Sequence, residues 1–379
     1  MAAKSSATLT QPWQGWRSTL LRRRTAVVAD MRPLIPTLLV LLAAAAPAAA
    51  DVRTVAEVHT PTDRFGHTTF PSVDAFGGRV VWSDYDSAAG AWRLMERSGD
   101  VTQPVPVATR ATPFDVDLGP DGRGGTRAVY SRCRRSCDLY AFSFTTGRET
   151  PIAGANSRAD EVWPAAWGSR IAFVRTYRGR RGRSGLPTPY LYWRSLDGSG
   201  PSRRLRRPSP VITIRMGRTT ERQRLASIID GLDMHARTVA FAWQRVDDDL
   251  EVVSFIYLAT TGGGLRAAAR GATSGGGAAV SVRSVREPSL LQDGVAWLFK
   301  NSGAPEYFTG FLDRPAGGAV RTSPTSKAVA FARDGDVVYW IDGGPGADLG
   351  PGGAFALKAD DAVAYRRAPR GWLPMRPPR

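Results

Sequence analysis

A short apolar strand pattern recurs six times along this chain of 379 residues, each time just after a turn or a loop. The copies start 48, 43, 68, 56 and 42 residues apart, and no helical periodicity lies between them. A repeat of about 40–50 residues built only from strands is typical of a β-propeller with four-stranded blades. The sequence therefore predicts an all-β fold: a six-bladed β-propeller with four-stranded antiparallel blades. The copies are residues 79–82, 127–130, 170–174, 238–243, 294–299 and 336–341.

Each unit is predicted to run from an inner strand to an outer edge strand. In the first unit, residues 104–108 are the expected outer strand, because an edge strand tolerates Pro104. Residues 51–58 are expected to pair with the last blade, which would leave no open sheet edge.

Residues 31–50 have the pattern of a secretory signal peptide. Arg32 gives a positive start, residues 34–46 are uncharged and apolar, and Ala48-Ala49-Ala50 fits the cleavage site. Thirteen apolar residues are too few to span a bilayer, which needs about 20. We expect cleavage near Ala50, a secreted or cell-envelope location (periplasmic or extracellular), and no transmembrane segment after cleavage.

Residues 1–30 are unusual in front of such a signal. We expect them to be a misassigned extension, with translation starting at Met31. The alternative is a long export signal that uses the twin arginines of Arg22–Arg24, although Asp30 separates them from the apolar run. Residues 51–379 are then one propeller domain, expected to be a monomer.

The two cysteines, Cys133 and Cys137, are predicted to form a disulfide on a hairpin tip. A close pair in an exported chain is usually a disulfide. A redox or metal site is less favoured, because no histidine is near the two thiols in the sequence.

Positive charge is concentrated in one segment. Residues 175–224 contain 14 Arg and two acidic residues, a net charge of +12, and residues 51–379 as a whole also carry +12. This segment is predicted to be an insertion in the third blade, and its glycine-rich core to be a mobile loop. The arginines of that core, which we predict to bind anions, are Arg178, Arg180, Arg181 and Arg183.

Guanidinium groups suit phosphate and carboxylate partners. In an exported protein these would be anionic cell-wall polymers, lipid head groups or acidic protein surfaces. Nucleic acid is not expected, because Tyr177, Tyr190 and Trp193 are predicted on strands and not within the arginine cluster. The alternative is that this loop is only solvated surface and binds no anionic partner.

Several turn and strand motifs resemble the repeats of TolB-like six-bladed propellers, also described as WD40-like β-propeller repeats. The motifs are Leu118-Gly119-Pro120-Asp121-Gly122, Asp138-Leu139-Tyr140, Tyr190-Leu191-Tyr192 and Asp197-Gly198-Ser199-Gly200. The resemblance covers about residues 70–367, and the fourth and fifth units depart most from it. It implies a periplasmic or extracellular propeller that binds proteins and is not itself an enzyme.

Catalytic motifs are sparse. The sequence contains no Gly-x-Ser-x-Gly elbow of a serine hydrolase. The histidines His59, His67 and His235 are expected to serve packing or surface roles, and no metal or cofactor is expected. The acidic residues considered as carboxylate pairs, all expected to be structural, are Asp84, Asp86, Asp115, Asp117, Asp247, Asp248, Asp249 and Glu251. A calcium loop from Asp115 to Asp121 is disfavoured by its spacing.

The favoured function is an exported non-catalytic scaffold that binds a protein or an anionic cell-envelope partner. The alternative is a propeller enzyme that acts on polysaccharide through carboxylates at the central channel. Two or more carboxylates within about 10 Å at one mouth of the channel would favour the enzyme, since glycosidases use such separations.

Overall fold

The structure, a computed structural model, describes residues 52–61, 71–181, 187–216, 219–224, 226–246, 252–271, 273–274, 281–303, 306–315, 321–322, 328–342, 354–360 and 366–367. All described residues belong to one compact unit, Ala49–Arg379. The predicted extension of residues 1–30 and the predicted signal of residues 31–50 lie outside the described residues.

The described residues form 28 β-strands and contain no helix. The strands of the first half are β1 (Arg53–His59), β2 (Val73–Phe76), β3 (Arg79–Asp86), β4 (Ala91–Ser98), β5 (Val101–Pro104), β6 (Asp117–Pro120), β7 (Thr126–Cys133), β8 (Cys137–Ser143), β9 (Arg148–Pro151), β10 (Asp160–Trp167), β11 (Arg170–Arg181), β12 (Pro187–Ser195), β13 (Arg203–Arg204) and β14 (Val211–Met216). Those of the second half are β15 (Thr219–Arg224), β16 (Ala226–His235), β17 (Thr238–Val246), β18 (Val252–Thr260), β19 (Leu265–Gly271), β20 (Thr273–Ser274), β21 (Ser281–Leu291), β22 (Gly294–Gly303), β23 (Glu306–Pro315), β24 (Arg321–Thr322), β25 (Ala328–Asp334), β26 (Val337–Asp342), β27 (Ala354–Asp360) and β28 (Arg366–Arg367).

Five sheets have the four-stranded antiparallel form of a propeller blade. Their strand orders are β2-β3-β4-β5, β6-β7-β8-β9, β10-β11-β12-β13, β16-β17-β18-β19 and β25-β26-β27-β1. Each of the six sequence recurrences lies on a strand inside a sheet, where both faces are covered. These strands are therefore almost continuously apolar, as in β3, where Val80, Val81 and Trp82 are at most 2% exposed. The predicted β-propeller is confirmed.

The predicted closure of the last blade is also confirmed. Strand β1 pairs antiparallel with β27, from Arg53 opposite Ala359 to His59 opposite Ala354. The N-terminal strand thereby covers the edge that β27 would otherwise expose. The predicted outer strand at residues 104–108 is wrong. The chain returns directly after its turn as β5, with Val101 opposite Ser98, and this strand ends at Pro104.

The prediction of six four-stranded blades is wrong, because only five of the described sheets have this form. The fifth recurrence lies in a six-stranded sheet, in the order β20-β21-β22-β23-β24-β28. Since β1 occupies the outer position beside β27, the chain after β27 pairs elsewhere, and Arg366 and Arg367 lie opposite Thr322 and Arg321. Strand β21 of this sheet contacts β16 and β25 of the neighbouring blades.

The arginine-rich segment is more ordered in secondary structure than predicted. Strand β11 continues to Arg181, which lies opposite Pro187 of β12, so Arg178, Arg180 and Arg181 lie on a strand and not in a loop. The register shifts after Thr176, and pairing resumes where Arg181 lies opposite Pro187. Downstream, β14 and β15 form a separate two-stranded ribbon. Arg183 lies outside the described residues.

The two cysteines face each other at the end of the β7–β8 hairpin. Cys133 is paired with Cys137 across the hairpin, and the two sulfur atoms are 2.10 Å apart, at bonding distance. The structure thus contains the predicted disulfide. Within the described ranges, no helix has the length and apolar character of a membrane span.

Candidate functional site: the central channel

The inner strands of the sheets converge on a central channel that contains two cavities. Strands β2, β6, β10, β16, β21 and β25 each contact the next, and β25 contacts β2. The first cavity has a volume of about 350 Å³ and the second about 580 Å³. Asp74 and Asp233 line both cavities, so these carboxylates separate one from the other.

Three aspartates occupy the same position in different inner strands. The Asp74 carboxylate accepts a hydrogen bond from the Leu118 backbone N–H, and the Asp233 carboxylate accepts one from Leu290 N–H. Asp117 accepts one from Ala166 N–H at 2.7 Å. Each bond joins one inner strand to the next sheet, so the repeated aspartate holds neighbouring sheets together.

These aspartates also interact with one another inside the ring. Burial raises the pKa of Asp117 well above its usual value, and the charges of Asp74 and Asp233 raise it further. Burial also raises the pKa of Asp233, to about 6, although backbone hydrogen bonds oppose the shift. The interaction between the two side chains raises the pKa of Asp117 and lowers that of Asp233. Because two neighbouring carboxylates cannot easily both ionise, Asp117 keeps its proton to a higher pH than Asp233 does.

Bulges in three successive inner strands shape the first cavity. Trp163 (φ 51°), Gly231 (φ 84°) and Glu287 (φ 44°) have left-handed backbone conformations. Each lies where the register of β10, β16 or β21 shifts, and all three line the cavity. A bulge of this kind re-aims the side chain of an inner strand.

Glu287 is the most strongly perturbed acid of the cavity. Burial raises its pKa to about 8, against the opposing charge of Arg286, and its carboxylate accepts a hydrogen bond from Phe331 N–H. Glu287 therefore also links β21 to the neighbouring strand β25. At pH 7 this side chain is largely protonated.

Asp115 and Arg110 belong to the polar lining of the first cavity, together with Ser72, Ser131 and Ser289. Asp115 accepts hydrogen bonds from Ser131 N–H at 2.7 Å and from Trp163 N–H at 2.8 Å. Arg110 lies 3.7 Å from the Asp115 carboxylate and donates to the Thr112 carbonyl at 2.9 Å. Burial lowers the pKa of Arg110. Asp115 and Arg110 are thus both held by hydrogen bonds to backbone groups around the cavity.

Apolar side chains form much of this lining and make the first cavity amphipathic. They are Val73, Phe114, Val116, Val162, Trp163, Leu232 and Phe331, with Pro71, Pro113, Pro164 and Pro288. An apolar group with one polar end would match such a cavity.

The second cavity has an aromatic wall and an acidic rim. The Trp167 ring centre is 4.0 Å from that of His235 and 5.4 Å from that of Phe76. Burial lowers the pKa of His235, so this imidazole is neutral at pH 7 and packs on Trp167. The prediction of a packing role for His235 agrees with this contact. The rim residues are Asp293, Arg333, Asp334 and Asp336.

The other predicted candidates lie away from the channel. His59 Nδ1 is 3.0 Å from Asp84, which also pairs with Arg93 at 3.1 Å. Asp121 accepts hydrogen bonds from Arg123 and Gly125 N–H and so closes its own turn. Within the described part of the chain, no group of three or more His, Cys, Asp or Glu side chains could hold a metal ion. His67, Asp247, Asp248, Asp249 and Glu251 lie outside the described residues.

Sequence analysis included Asp115 and Asp117 but missed Asp74, Asp233 and Glu287. An available signal was an aspartate between two apolar residues, in Val73-Asp74-Ala75, Val116-Asp117-Leu118 and Leu232-Asp233-Met234. A carboxylate inside an apolar strand requires a buried partner. The side chains of Arg178, Arg180 and Arg181 are outside the described part, and anion binding by these residues and Arg183 stays a prediction.

No protein-family model and no curated protein matches this chain. Among solved structures, it is similar to TolB from Acinetobacter baumannii, with 15% identity and a TM-score of 0.47 over 77% of this chain and 66% of TolB. It is also similar to the β-propeller domain of the Trilobed protease from Pyrococcus furiosus, with 8% identity and a TM-score of 0.43 over 79% of this chain and 95% of that one. A third is oligogalacturonate lyase in complex with manganese, with 12% identity and a TM-score of 0.43 over 84% and 94%. The chain thus spans just under two thirds of TolB, and these low scores carry no conclusion about function.

Proposed function

We propose that this protein is an exported, non-catalytic scaffold that binds a protein partner over the mouth of the first cavity. The observation that carries the proposal is the state of the channel carboxylates. Asp74, Asp115, Asp117, Asp233 and Glu287 all accept hydrogen bonds from backbone N–H groups of the ring. These acids are therefore committed to holding neighbouring elements together.

The apolar part of the mouth is suited to a partner's side chain. Trp163 is half-buried and lines the cavity, and its backbone N–H donates a hydrogen bond to Asp115 at 2.8 Å. A large aromatic side chain is a typical anchor of a protein interface. A protein segment with an apolar side chain that enters the cavity is the expected ligand.

Capture from the exported proteins of the native host tests this function. Trp163→Asn removes the aromatic ring, and Asn tolerates the left-handed backbone at this position. The matched control is Val101→Asn on β5, where the valine is 60% exposed and lies outside the lining of the cavity. We expect the same partner to be captured by wild type and Val101→Asn, and at least about tenfold less by Trp163→Asn. Equal capture by all three would contradict the proposed face.

A polysaccharide-cleaving enzyme is the second candidate, and one observation favours it. The first cavity is lined by five acidic side chains, Asp74, Asp115, Asp117, Asp233 and Glu287, and the charges of Asp74 and Asp233 raise the pKa of Asp117. The pKa of Glu287 is raised to about 8 and that of Asp233 to about 6. Acids with separated pKa values can serve as acid and base. Turnover of a cell-wall polysaccharide would establish this function in place of the scaffold.

A further inference from the structure

Arginine side chains stack on aromatic rings along the outer edge of the β10–β13 blade. In the β12–β13 pair, Arg204 lies opposite Tyr192. The Cζ atom of Arg204 is 4.5 Å from the centre of the Tyr190 ring, and that of Arg207 is 4.8 Å from the same centre. Two guanidinium groups therefore share one tyrosine ring.

Tyrosine hydroxyls hold the Arg204 guanidinium in place. Arg204 Nε donates to the Tyr192 hydroxyl oxygen at 2.9 Å, and that hydroxyl is 2.9 Å from the hydroxyl of Tyr177. The bond to Tyr192 raises the pKa of Arg204, against a smaller opposing effect of burial. A guanidinium fixed in this way loses little freedom when a ligand binds, which favours affinity.

Counter-charge is scarce at this edge. Residues 187–211 contain five Arg and a single acidic residue, Asp197, which accepts a hydrogen bond from Ser199 N–H in its own turn at 2.7 Å. The nearby Glu161 is paired with Arg175 at 2.7 Å.

Three exposed arginines have no acidic partner in the part of the chain that the structure describes. Arg203, Arg204 and Arg206 are exposed, and among the described residues none of them forms an ion pair with a carboxylate. Arg203 stacks on Trp193, with its Cζ atom 5.8 Å from the ring centre.

We propose that Arg203, Arg204, Arg206 and Arg207, which we call the arginine edge, bind the phosphate groups of a linear phosphate polymer. A phosphate group offers more acceptor oxygens than a carboxylate, and the arginine fork matches its geometry. Residues 203–207 present four guanidinium groups, more donors than one carboxylate can accept, which favours a polymer with repeated phosphate groups.

The chemistry of the edge also favours a polymer without bases. Nucleobases bind single-strand sites by stacking on aromatic faces. Here Tyr190 is already stacked by Arg204 and Arg207, and Trp193 carries Arg203. The aromatic rings are used to orient the arginines, so phosphate groups are the part of a ligand that this edge recognises.

Titration calorimetry with inorganic polyphosphate tests the proposal on the full chain. We expect wild type to bind at about 50 mM salt and to lose roughly tenfold in affinity at about 200 mM, because counterions are released on binding. The double variant Arg204→Gln/Arg207→Gln should lose at least about tenfold at low salt. A wild-type protein that ignores polyphosphate at low salt would overturn the proposal.

A matched variant separates a local site from a general charge effect. Arg134→Gln/Arg135→Gln removes the same charge from two exposed arginines in the hairpin closed by the disulfide. Its affinity should stay within about threefold of wild type, since only the long-range field changes. An equal loss of affinity in the two double glutamine variants would show that total charge alone is responsible for binding polyphosphate.

The lysine pair Arg204→Lys/Arg207→Lys keeps the charge and removes the fork. We expect this variant to lose affinity for polyphosphate while its thermal midpoint stays that of wild type. It therefore still tests the proposal if the double glutamine variant unfolds at a lower temperature. Unchanged affinity in the lysine pair would overturn the role of the guanidinium pair.

Tighter binding to single-stranded DNA or to phosphatidylglycerol vesicles than to polyphosphate would assign the edge to nucleic acid or to membrane instead. The Trp163→Asn variant should bind polyphosphate as tightly as wild type does. The experiments can therefore contradict the arginine edge without contradicting the proposed scaffold, and the reverse.

Discussion

The channel contains a cluster of acidic side chains and the arginine edge a cluster of basic ones, and the two clusters differ in burial and in their partners. The acids of the channel accept backbone hydrogen bonds inside the ring, and burial raises the pKa of Asp74, Asp117, Asp233 and Glu287. The arginines of the edge are mostly exposed and stack on aromatic rings. Buried carboxylates thereby become part of the framework, whereas exposed guanidinium groups keep their charge for a ligand.

The largest expected effect is the pH dependence that Glu287 imposes on stability. A carboxyl group whose pKa is raised on folding binds its proton more tightly in the folded state, so stability falls as pH rises from the unfolded pKa to the folded one. For Glu287 this window runs from 4.5 to about 8. Glu287→Gln should match wild type near pH 5 and be more stable at pH 8, by on the order of 2–4 kcal/mol.

Denaturant unfolding of both proteins at the two pH values measures this difference. Glutamine can still accept the hydrogen bond from Phe331 N–H, so the comparison isolates the charge. If the difference in stability between the variant and wild type is the same at pH 5 and at pH 8, then Glu287 is not an acid held neutral by burial. The contrast between channel and edge then fails at this residue.

The next effect concerns the bonds between sheets. Asp117 is 3% exposed, and its removal in Asp117→Ala leaves the buried Ala166 N–H without an acceptor. We expect a loss of about 1–3 kcal/mol in the free energy of unfolding. Asp117→Asn retains an acceptor without the charge and should be close to wild type. An alanine variant as stable as the asparagine variant would show that the hydrogen bond between sheets contributes nothing.

The smallest effect is expected at the disulfide. Only three residues lie between Cys133 and Cys137, so replacing both by Ser should cost about 1–2 kcal/mol. Intact mass after alkylation, with and without reductant, shows whether the bond exists in the exported protein. Free labelling of both thiols without reductant would contradict it.

Much of the fold could be predicted because it depends on local patterns. The six recurrences identify interior strands, since a strand covered on both faces must be apolar nearly throughout. The strand predicted at residues 104–108 was misplaced because the turn after β4 is short and β5 already begins at Val101. The pairing of β28 with β24 escaped prediction because it joins residues far apart in the sequence.

The candidate site was less predictable, because its residues meet only through the ring. Asp117 was considered only as part of a local carboxylate pair, whereas the charges that raise its pKa come from Asp74 and Asp233 of other sheets. Likewise, the stacking of Arg204 on Tyr190 depends on the pairing of β12 with β13, which brings the two side chains together. Contacts between residues far apart in the sequence are absent from periodicity and composition.

The most direct test of the central claim, that the channel acids support the ring and perform no reaction, is turnover of polysaccharides. Release of reducing ends from a panel of cell-wall polysaccharides is measured between pH 5 and pH 8 for wild type and Glu287→Gln, with heat-inactivated protein as the baseline. We expect both proteins to remain at the baseline throughout. Release by wild type that a folded Glu287→Gln variant no longer supports would contradict the scaffold and identify Glu287 as a catalytic acid.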